Sequence, residues 1–286
     1  MTFPVLALLA AVTVGTWNGQ WFPSGRAEHR DTPENEARTI RTAGEMLRKG
    51  LDKADPSGTN DLILCFNEIR NLEAAEALVA AIGRKDLKVA VISAYRRRDR
   101  FDQQQDVVAT TLPVAEASWS RWRSAGPNTP PRGFAFARIV LPGSVTTAVY
   151  SVHLKSDYGA TTEAESLTNR TKRAIAVGQL FVNEKARRGK YASPVVIAGD
   201  FNADRWDEGF AKETIFDAFD KNGFLDVLSL LPPEDRWTHP GRGKWPNTAL
   251  DHIELRGLSA EGFPVIVPVG GISDHYPVFV TLKPAF

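Results

Sequence analysis

Seven polar residues stand where apolar runs begin or end. Asn18 follows the run 12–17, Glu68 follows 62–66, His153 follows 145–152, and Asp200 and Asn202 follow 195–198. Asp274 and His275 stand just before 277–282. Side chains at strand ends sit on rigid supports, where a reactive constellation can be held in place. Glu68, Asp200 and Asp274 offer hard anionic oxygens, and Asn18 and Asn202 offer neutral ones. That set suits Mg²⁺ or Mn²⁺, with Ca²⁺ as an alternative or second ion. Zinc is disfavoured, because it selects His and Cys over amides and no His-x₃-His pair is present. Taken singly, each residue has a plainer reading as a turn, cap or core polar group. Their joint occurrence, in order and at strand ends, does not.

These residues share one rim only if the last strand runs opposite to the other four. The chain has the pattern to do this. Thr32-Pro33 opens a helix whose apolar positions are Ala37, Ile40, Ala43 and Leu47, and Gly50 is expected to end it. Asn71 caps a second helix with Leu72, Ala75, Leu78, Val79 and Ile82 inward, stopped by Gly83. Strands are predicted near 87–94, 106–112, 134–140, 145–152, 194–198, 251–255 and 277–282, with further helices over 163–188 and 208–222. The long helix carries Leu167, Ala174, Val177 and Phe181 on one stripe. Several helices are separated by two or more strands, which predicts an α/β fold with a mixed or antiparallel sheet. Residues 12–286 read as one domain.

Composition narrows the class without choosing a substrate. There are 35 Lys plus Arg against 34 Asp plus Glu, so no global field selects a partner. A single cysteine excludes a disulfide framework and a cysteine-rich zinc module. Cys65 lies in an apolar strand and reads as buried and inert. The N-terminal residues 1–11 resemble the apolar part of a signal peptide without its basic start, and the expectation is export, periplasmic or secreted, with a buried N-terminal extension of a cytoplasmic chain as the alternative. No run is long enough to span a bilayer.

The stretches Val14-Gly-Thr-Trp-Asn18, Leu62-Ile-Leu-Cys-Phe-Asn-Glu68, Val152-His-Leu-Lys155, Val196-Ile-Ala-Gly-Asp-Phe-Asn202, Ala249-Leu-Asp-His-Ile253 and Ser273-Asp-His-Tyr-Pro-Val278 together resemble the endonuclease/exonuclease/phosphatase superfamily, the deoxyribonuclease I-like proteins. The resemblance implies a four-layer αββα sandwich with two packed mixed, largely antiparallel sheets. It implies that Asn18 and Glu68 hold the divalent metal and that Asp274 adds a metal or phosphate contact. Asp200 and Asn202 would orient or activate the attacking water. His275 would contact the phosphate or move a proton, oriented by Asp251. His153 would match the second phosphate-contacting histidine of the deoxyribonuclease I and sphingomyelinase branches. Arg170 resembles a position near substrate. Two departures, Asn67 for the usual Gln and Gln20 where abasic-site enzymes carry Asp, argue against a standard abasic-site endonuclease.

Residues 84–132 hold ten Lys or Arg against five acids, in a chain of net charge +1. Arg97 and Trp122 represent this basic and aromatic segment, which suits phosphate contacts and base stacking. The expectation is a metal-dependent nuclease, acting as a monomer with no stable protein partner. The alternatives are a phosphohydrolase for a phospholipid, inositol phosphate or other small phosphoester, and a non-catalytic binding module on the same fold. Lys172, Arg173, Arg187 and Arg188 are expected to be solvated, and His29 and His239 read as loop residues. His252 is expected to face away from Asp251.

Overall fold

The computed structural model describes residues 11–25, 31–97, 100–124, 126–188, 194–241, 243 and 246–283. In chain order the elements are β1 (Val12–Phe22), α1 (Pro33–Ala54), β2 (Asp61–Ile69), α2 (Leu72–Ile82), β3 (Lys88–Ile92), β4 (Arg96–Arg97), β5 (Arg100–Phe101), β6 (Gln105–Thr110), β7 (Val114–Arg121), β8 (Gly133–Val140), β9 (Thr146–His153), α3 (Glu163–Arg187), β10 (Val195–Asp200), α4 (Ile215–Lys221), β11 (Leu225–Asp226), β12 (Asp251–Arg256), β13 (Ala260–Ile266) and β14 (Val278–Leu282). The expected signal-like segment lies outside the described residues except for Ala11. No helix among the described residues is long and apolar enough to cross a membrane.

Two six-stranded sheets form, in the orders β13-β14-β1-β2-β6-β3 and β11-β12-β10-β9-β8-β7. Each holds one parallel pair, β1 with β2 and β9 with β10, and its other pairs are antiparallel. Alternation puts Val12, Val14, Ile63, Cys65 and Val108 of one sheet against Ala135, Val149, Val196, Ala198 and Ile253 of the other. The outer face of the first sheet, with Leu62, Leu64 and Phe66, packs on α1 and α2. That of the second, with Phe136, Tyr150 and Ile197, packs on α3 and α4. The result is the expected two-sheet sandwich between helical layers, with a mixed rather than parallel topology.

Local chemistry explains where the helices start and where the expectations miss. Thr32 accepts from Asn35 N at 3.2 Å and Asn71 from Ala74 N at 2.9 Å, each capping the helix it precedes. Gly83 ends α2 in the left-handed region, at φ 86°. Gly50 does not end α1, which continues to Ala54. A Cβ at Gly50 would lie 2.2 Å from the Phe279 ring, so the glycine serves close helix–sheet packing instead. Leu72, Leu167 and Ala174 face solvent, and the buried side of α3 includes Arg173, Ala176, Val177, Leu180 and Glu184.

Arg173 is therefore not solvated. Its guanidinium is fully buried, bonding Glu213 at 2.7 Å, Asp157 at 3.2 Å and the Lys155 carbonyl at 2.7 Å. Arg187 likewise lies over the Phe136 ring, 4.2 Å from its centroid, and bonds Glu116 and Ser118. The helix expected over 208–222 is a short turn followed by α4. Strands β7 and β13 were not anticipated, because both are largely exposed and lack an alternating apolar pattern.

Candidate active site

Strand register brings the polar ends together. Asn18 pairs with Asn67 across β1 and β2, His153 with Asp200 across β9 and β10, and Asp200 with Asp251 across β10 and β12. Strand β14 runs antiparallel to β1, so the residues preceding it reach the rim where β1 ends. His275 and Asp200 accordingly meet, with His275 Nε2 3.8 Å from Asp200 Oδ2.

Asp200 is the hub. Its Oδ2 accepts from Asn18 Nδ2 at 2.8 Å and lies 3.5 Å from His153 Nε2. Its Oδ1 accepts from the backbone N–H of Asn202 at 2.8 Å, in a turn where Asn202 has φ 52°. Glu68 lies beside this pair. Its Oε1 accepts from Asn18 Nδ2 at 3.3 Å and is 3.7 Å from His153 Nε2, while Oε2 accepts from Trp21 N at 3.0 Å. Glu68 itself has φ 58°, an unfavourable conformation for a residue with a long side chain.

On the other side, His275 Nδ1 donates to Asp251 Oδ2 at 2.8 Å. Thr238 Oγ1 donates to the same oxygen at 2.7 Å. This fixes the imidazole with Nε2 toward Asp200. Burial would push His275 down, but the charges of Asp251 and Asp200 outweigh it and raise the group to about 10. His153 is held well below its ordinary value by burial and then by the charge of Arg132, so it is neutral. Its Nδ1 is buried without a partner and its Nε2 faces two carboxylates, which assigns the proton to Nε2. Asp200 is raised, to about 6, chiefly by burial.

Asn18, Glu68, His153, Asp200, Asn202, Asp251 and His275 thus form one connected group. Asp274 stands at the same rim, on the far side of His275 Nε2 from the Asn18–Glu68 pair, with Oδ1 3.9 Å from that nitrogen. Gln20 Nε2 donates to its Oδ2 at 2.7 Å, and it lies 3.9 Å from both His239 and His275. Arg170 is not in the group: it pairs with Glu163 at 2.7 Å on α3. Trp122 is only 4% exposed and packs on Phe134 with ring centroids 5.3 Å apart, which corrects its expected role of stacking on a base. Trp122 continues the β7–β8 ladder, its N bonding the Arg132 carbonyl at 3.1 Å, and it falls on the same face of the sheet as Ser120, which pairs with Phe134. Arg97 lies in β4, but its side chain is outside the described residues, as is all of Arg98.

Several participants had little or no signal in the sequence, although Gln20 stood out as a departure from the family pattern. His239 reaches the rim edge-on to His275, with ring centroids 5.1 Å apart, because 239 and 248 form an isolated antiparallel bridge. Thr238, Gln20 and Arg132 have common residue types in loops and at strand ends. Arg132 donates to the His153 carbonyl at 3.1 Å and the Leu154 carbonyl at 2.6 Å, bracing the end of β9. His252 points away from the rim as expected, bonding Asp226 at 2.7 Å.

The donor set fits a hard divalent cation. Four carboxylates, Glu68, Asp200, Asp251 and Asp274, crowd the rim, and among the described residues no lysine or arginine ion-pairs with them. Asp251 Oδ1 is buried without a partner. One imidazolium cannot balance this charge, and oxygen donors are what Mg²⁺ or Mn²⁺ prefers.

A two-sheet sandwich with this acid–histidine rim defines a class of phosphoester hydrolases. The chain belongs to the Endonuclease/Exonuclease/phosphatase family, whose model matches residues 15–275. Solved structures share the fold at low identity. A family protein from Leptotrichia buccalis aligns with TM-score 0.63 at 14% identity, covering 96% of this chain and 100% of its own. One from Beutenbergia cavernae gives TM-score 0.66 at 13% identity, covering 96% and 72%. TDP2 from Caenorhabditis elegans gives TM-score 0.58 at 12% identity, covering 96% and 74%. Comparison with curated proteins finds no significant match.

Proposed function

We propose that this protein is a divalent-metal-dependent phosphodiesterase that cleaves nucleic-acid phosphodiester bonds by attack of water. The observation that carries the reading is the Asp200–His275–Asp251 relay beside the Asn18–Glu68 pair. Asn18 and Glu68 would hold the ion, with Asp274 adding a contact at the rim. A bound divalent ion supplies charge neutralisation at the phosphoryl oxygens.

Asp200 Oδ2 takes the proton of the attacking water, with its other oxygen tied to Asn202 N. As the bond from phosphorus to the leaving ester oxygen breaks, His275, with its proton on Nε2 toward the same space, supplies positive charge and gives that proton to the departing oxygen. Asp251 fixes the tautomer and stabilises the imidazolium. Neutral His153, with its proton on Nε2, would donate it to a phosphoryl oxygen of a substrate bound beside Glu68 and Asp200.

The nucleic-acid assignment is supported by what opens on this rim. Gln105, at the start of β6, pairs with Ile69 at the end of β2, so the β4–β5 hairpin emerges beside Glu68. Arg121 pairs with Gly133, and Phe134 with Val152, so β7 ends there too. The hairpin stacks Arg96 on Phe101 at 4.8 Å, and β7 presents Trp119, 39% exposed, beside Tyr95. Cations and exposed rings suit phosphates and bases. Phe101, 64% exposed, equally suits a lipid surface, which favours a phospholipid diester as the second reading.

Plasmid DNA, single-stranded DNA, a short-chain phospholipid and bis(4-nitrophenyl) phosphate, assayed with Mg²⁺, test the assignment. We expect DNA cleavage whose salt dependence flattens by ~0.9 log unit for each phosphate contact removed. Arg96→Ala should remove one such contact and Trp119→Ala should weaken single-strand binding. Turnover of the phospholipid with untouched DNA would overturn the nuclease assignment.

A further inference from the structure

Beneath the rim, one amide joins the two sheets. Asn67 on β2 is fully buried. Its Oδ1 accepts from the backbone N–H of Asp200 at 2.9 Å. Its Nδ2 donates to Asp106 Oδ1 on β6 at 2.8 Å and to Ser151 Oγ on β9 at 3.3 Å. Ser151 spends its own proton on the Phe66 carbonyl at 3.3 Å, so it faces Asn67 as an acceptor. Asp106 is fully buried, and its other oxygen accepts from Tyr95 OH at 2.9 Å.

An asparagine amide has nearly the same shape either way round, so its neighbours decide which end is which. Here one end meets an N–H donor and the other meets a carboxylate and a serine lone pair. The flipped amide would set N–H against N–H and oxygen against carboxylate. A carboxylate at 106 accepts only, so it reinforces the orientation that the Asp200 N–H selects. An amide at 106 can donate or accept and removes that reinforcement. Strand β10 is pressed close at this point: a Cβ at Gly199, φ 146°, would lie 1.9 Å from the Val152 carbonyl and 2.9 Å from Asn67 Oδ1. The Asp200 carbonyl accepts from Leu154 N at 2.9 Å, and its N–H goes to Asn67.

We infer that Asp106 is a positioning residue for Asp200, acting through Asn67 to fix the backbone that aims the carboxylate. The inference rests on the proposed role of Asp200 as base. Displacements of about 1 Å at a reacting group cost up to ~10²-fold in rate. Asp106→Asn should therefore lower kcat ~10–100-fold, with KM and the Mg²⁺ half-saturation within about twofold. Assays at pH 8 lie above the value of about 7 to which burial pushes Asp106, so the wild-type carboxylate is ionised there.

Tyr95→Phe removes the bond to the other oxygen of Asp106 and serves as the comparison. It should lower Tm about as much as Asp106→Asn, yet keep kcat within about threefold. Equal losses of kcat in both variants, or a kcat within threefold of wild type in Asp106→Asn, overturns the inference. Should Asp106→Asn not fold, Ser151→Ala removes only the second acceptor. A several-fold fall in kcat at constant KM then supports the inference, and an unchanged kcat overturns it. Hydrogen exchange at the Asp200 amide gives a readout independent of turnover. Faster exchange in Asp106→Asn but not in Tyr95→Phe supports the brace even if no phosphodiester is cleaved, which would count against the proposed function alone. Unchanged exchange overturns the brace.

Discussion

Replacing Asp251 by Asn changes one charge and almost no volume, so it isolates what the relay contributes. In the wild type, Asp251 Oδ2 takes both His275 Nδ1 at 2.8 Å and Thr238 Oγ1 at 2.7 Å. Its negative charge is the largest influence raising His275, which otherwise would be pushed down by burial. Without it, only Asp200 and Asp274 oppose burial, and the imidazolium loses its proton at lower pH. His275 must be protonated to act as proposed, so the alkaline limb of the kcat profile should move to lower pH. At its optimum the variant should be ~10²–10⁴-fold slower, which is ~2.7–5.4 kcal/mol at 1.36 kcal/mol per decade. Stability should fall at neutral pH, because the Asp251 carboxylate that raises His275 to about 10 also stabilises the fold wherever His275 is protonated. The assay is kcat against pH on bis(4-nitrophenyl) phosphate, with Tm alongside. A kcat within threefold of wild type and an alkaline limb that stays in place would refute the relay.

Further outcomes follow from other parts of the structure. Exhaustive chelation should abolish turnover, and Glu68→Gln should raise the Mg²⁺ half-saturation by at least the ~10–100-fold typical of losing an outer-shell partner; metal titration of the kcat checks this, and an unmoved half-saturation refutes the ligand assignment. Gly44→Ala would bring a Cβ to 2.5 Å from the Ala81 backbone, costing ~1–3 kcal/mol by overpacking against the ~1 kcal/mol alanine returns in helix propensity; a urea midpoint equal to or above wild type would contradict the close packing of α1 on α2. His252 is pushed down by burial but raised to about 9, above its ordinary value, by the Asp226 carboxylate 2.7 Å away. Its contribution is thus complete below pH ~6.5 and is lost as pH rises through about 9. His275, raised to about 10, adds to the same fall; Tm should drop between pH 7 and 10, Asp226→Asn should remove only the part due to His252, and a variant with the wild-type slope removes His252 as a source.

The site was legible where side-chain chemistry and strand position coincide. Asn18, Glu68, His153, Asp200 and His275 each interrupt or end an apolar run, and β-strand geometry places such ends on a rim. The same logic fails for residues whose meaning is supplied by packing. Gly50 looks like a helix terminator, yet its missing Cβ makes room for Phe279, a partner more than two hundred positions away. Arg173 looks like a solvated cation on a polar helix, yet Glu213 and Asp157 approach it from other loops and make burial tolerable. Trp122 sits in a basic segment and looks like a stacking platform, yet strand alternation puts its ring on the face that carries Phe134.

His239 shows why the boundary falls there. Nothing about a histidine before a proline marks it, and it reaches the rim through an isolated bridge between 239 and 248. Asp106 is similar, since a single acid in an otherwise apolar strand gives no hint that its partner is an amide on β2. In both cases the informative quantity is a distance across the fold. The residues at strand ends specify which chemistry is available. Those that direct it, Thr238 on Asp251, Asn202 on Asp200 and Asn67 on the Asp200 backbone, become visible only once the two sheets are brought face to face. A carboxylate in this rim is therefore defined less by its own type than by the donors that remain around it. The charge-conserving substitution Asp200→Glu should accordingly fail nearly as badly as Asp200→Asn, because an added methylene cannot satisfy Asn18 and Asn202 together. A kcat for Asp200→Glu within tenfold of wild type would show that charge alone suffices at this position.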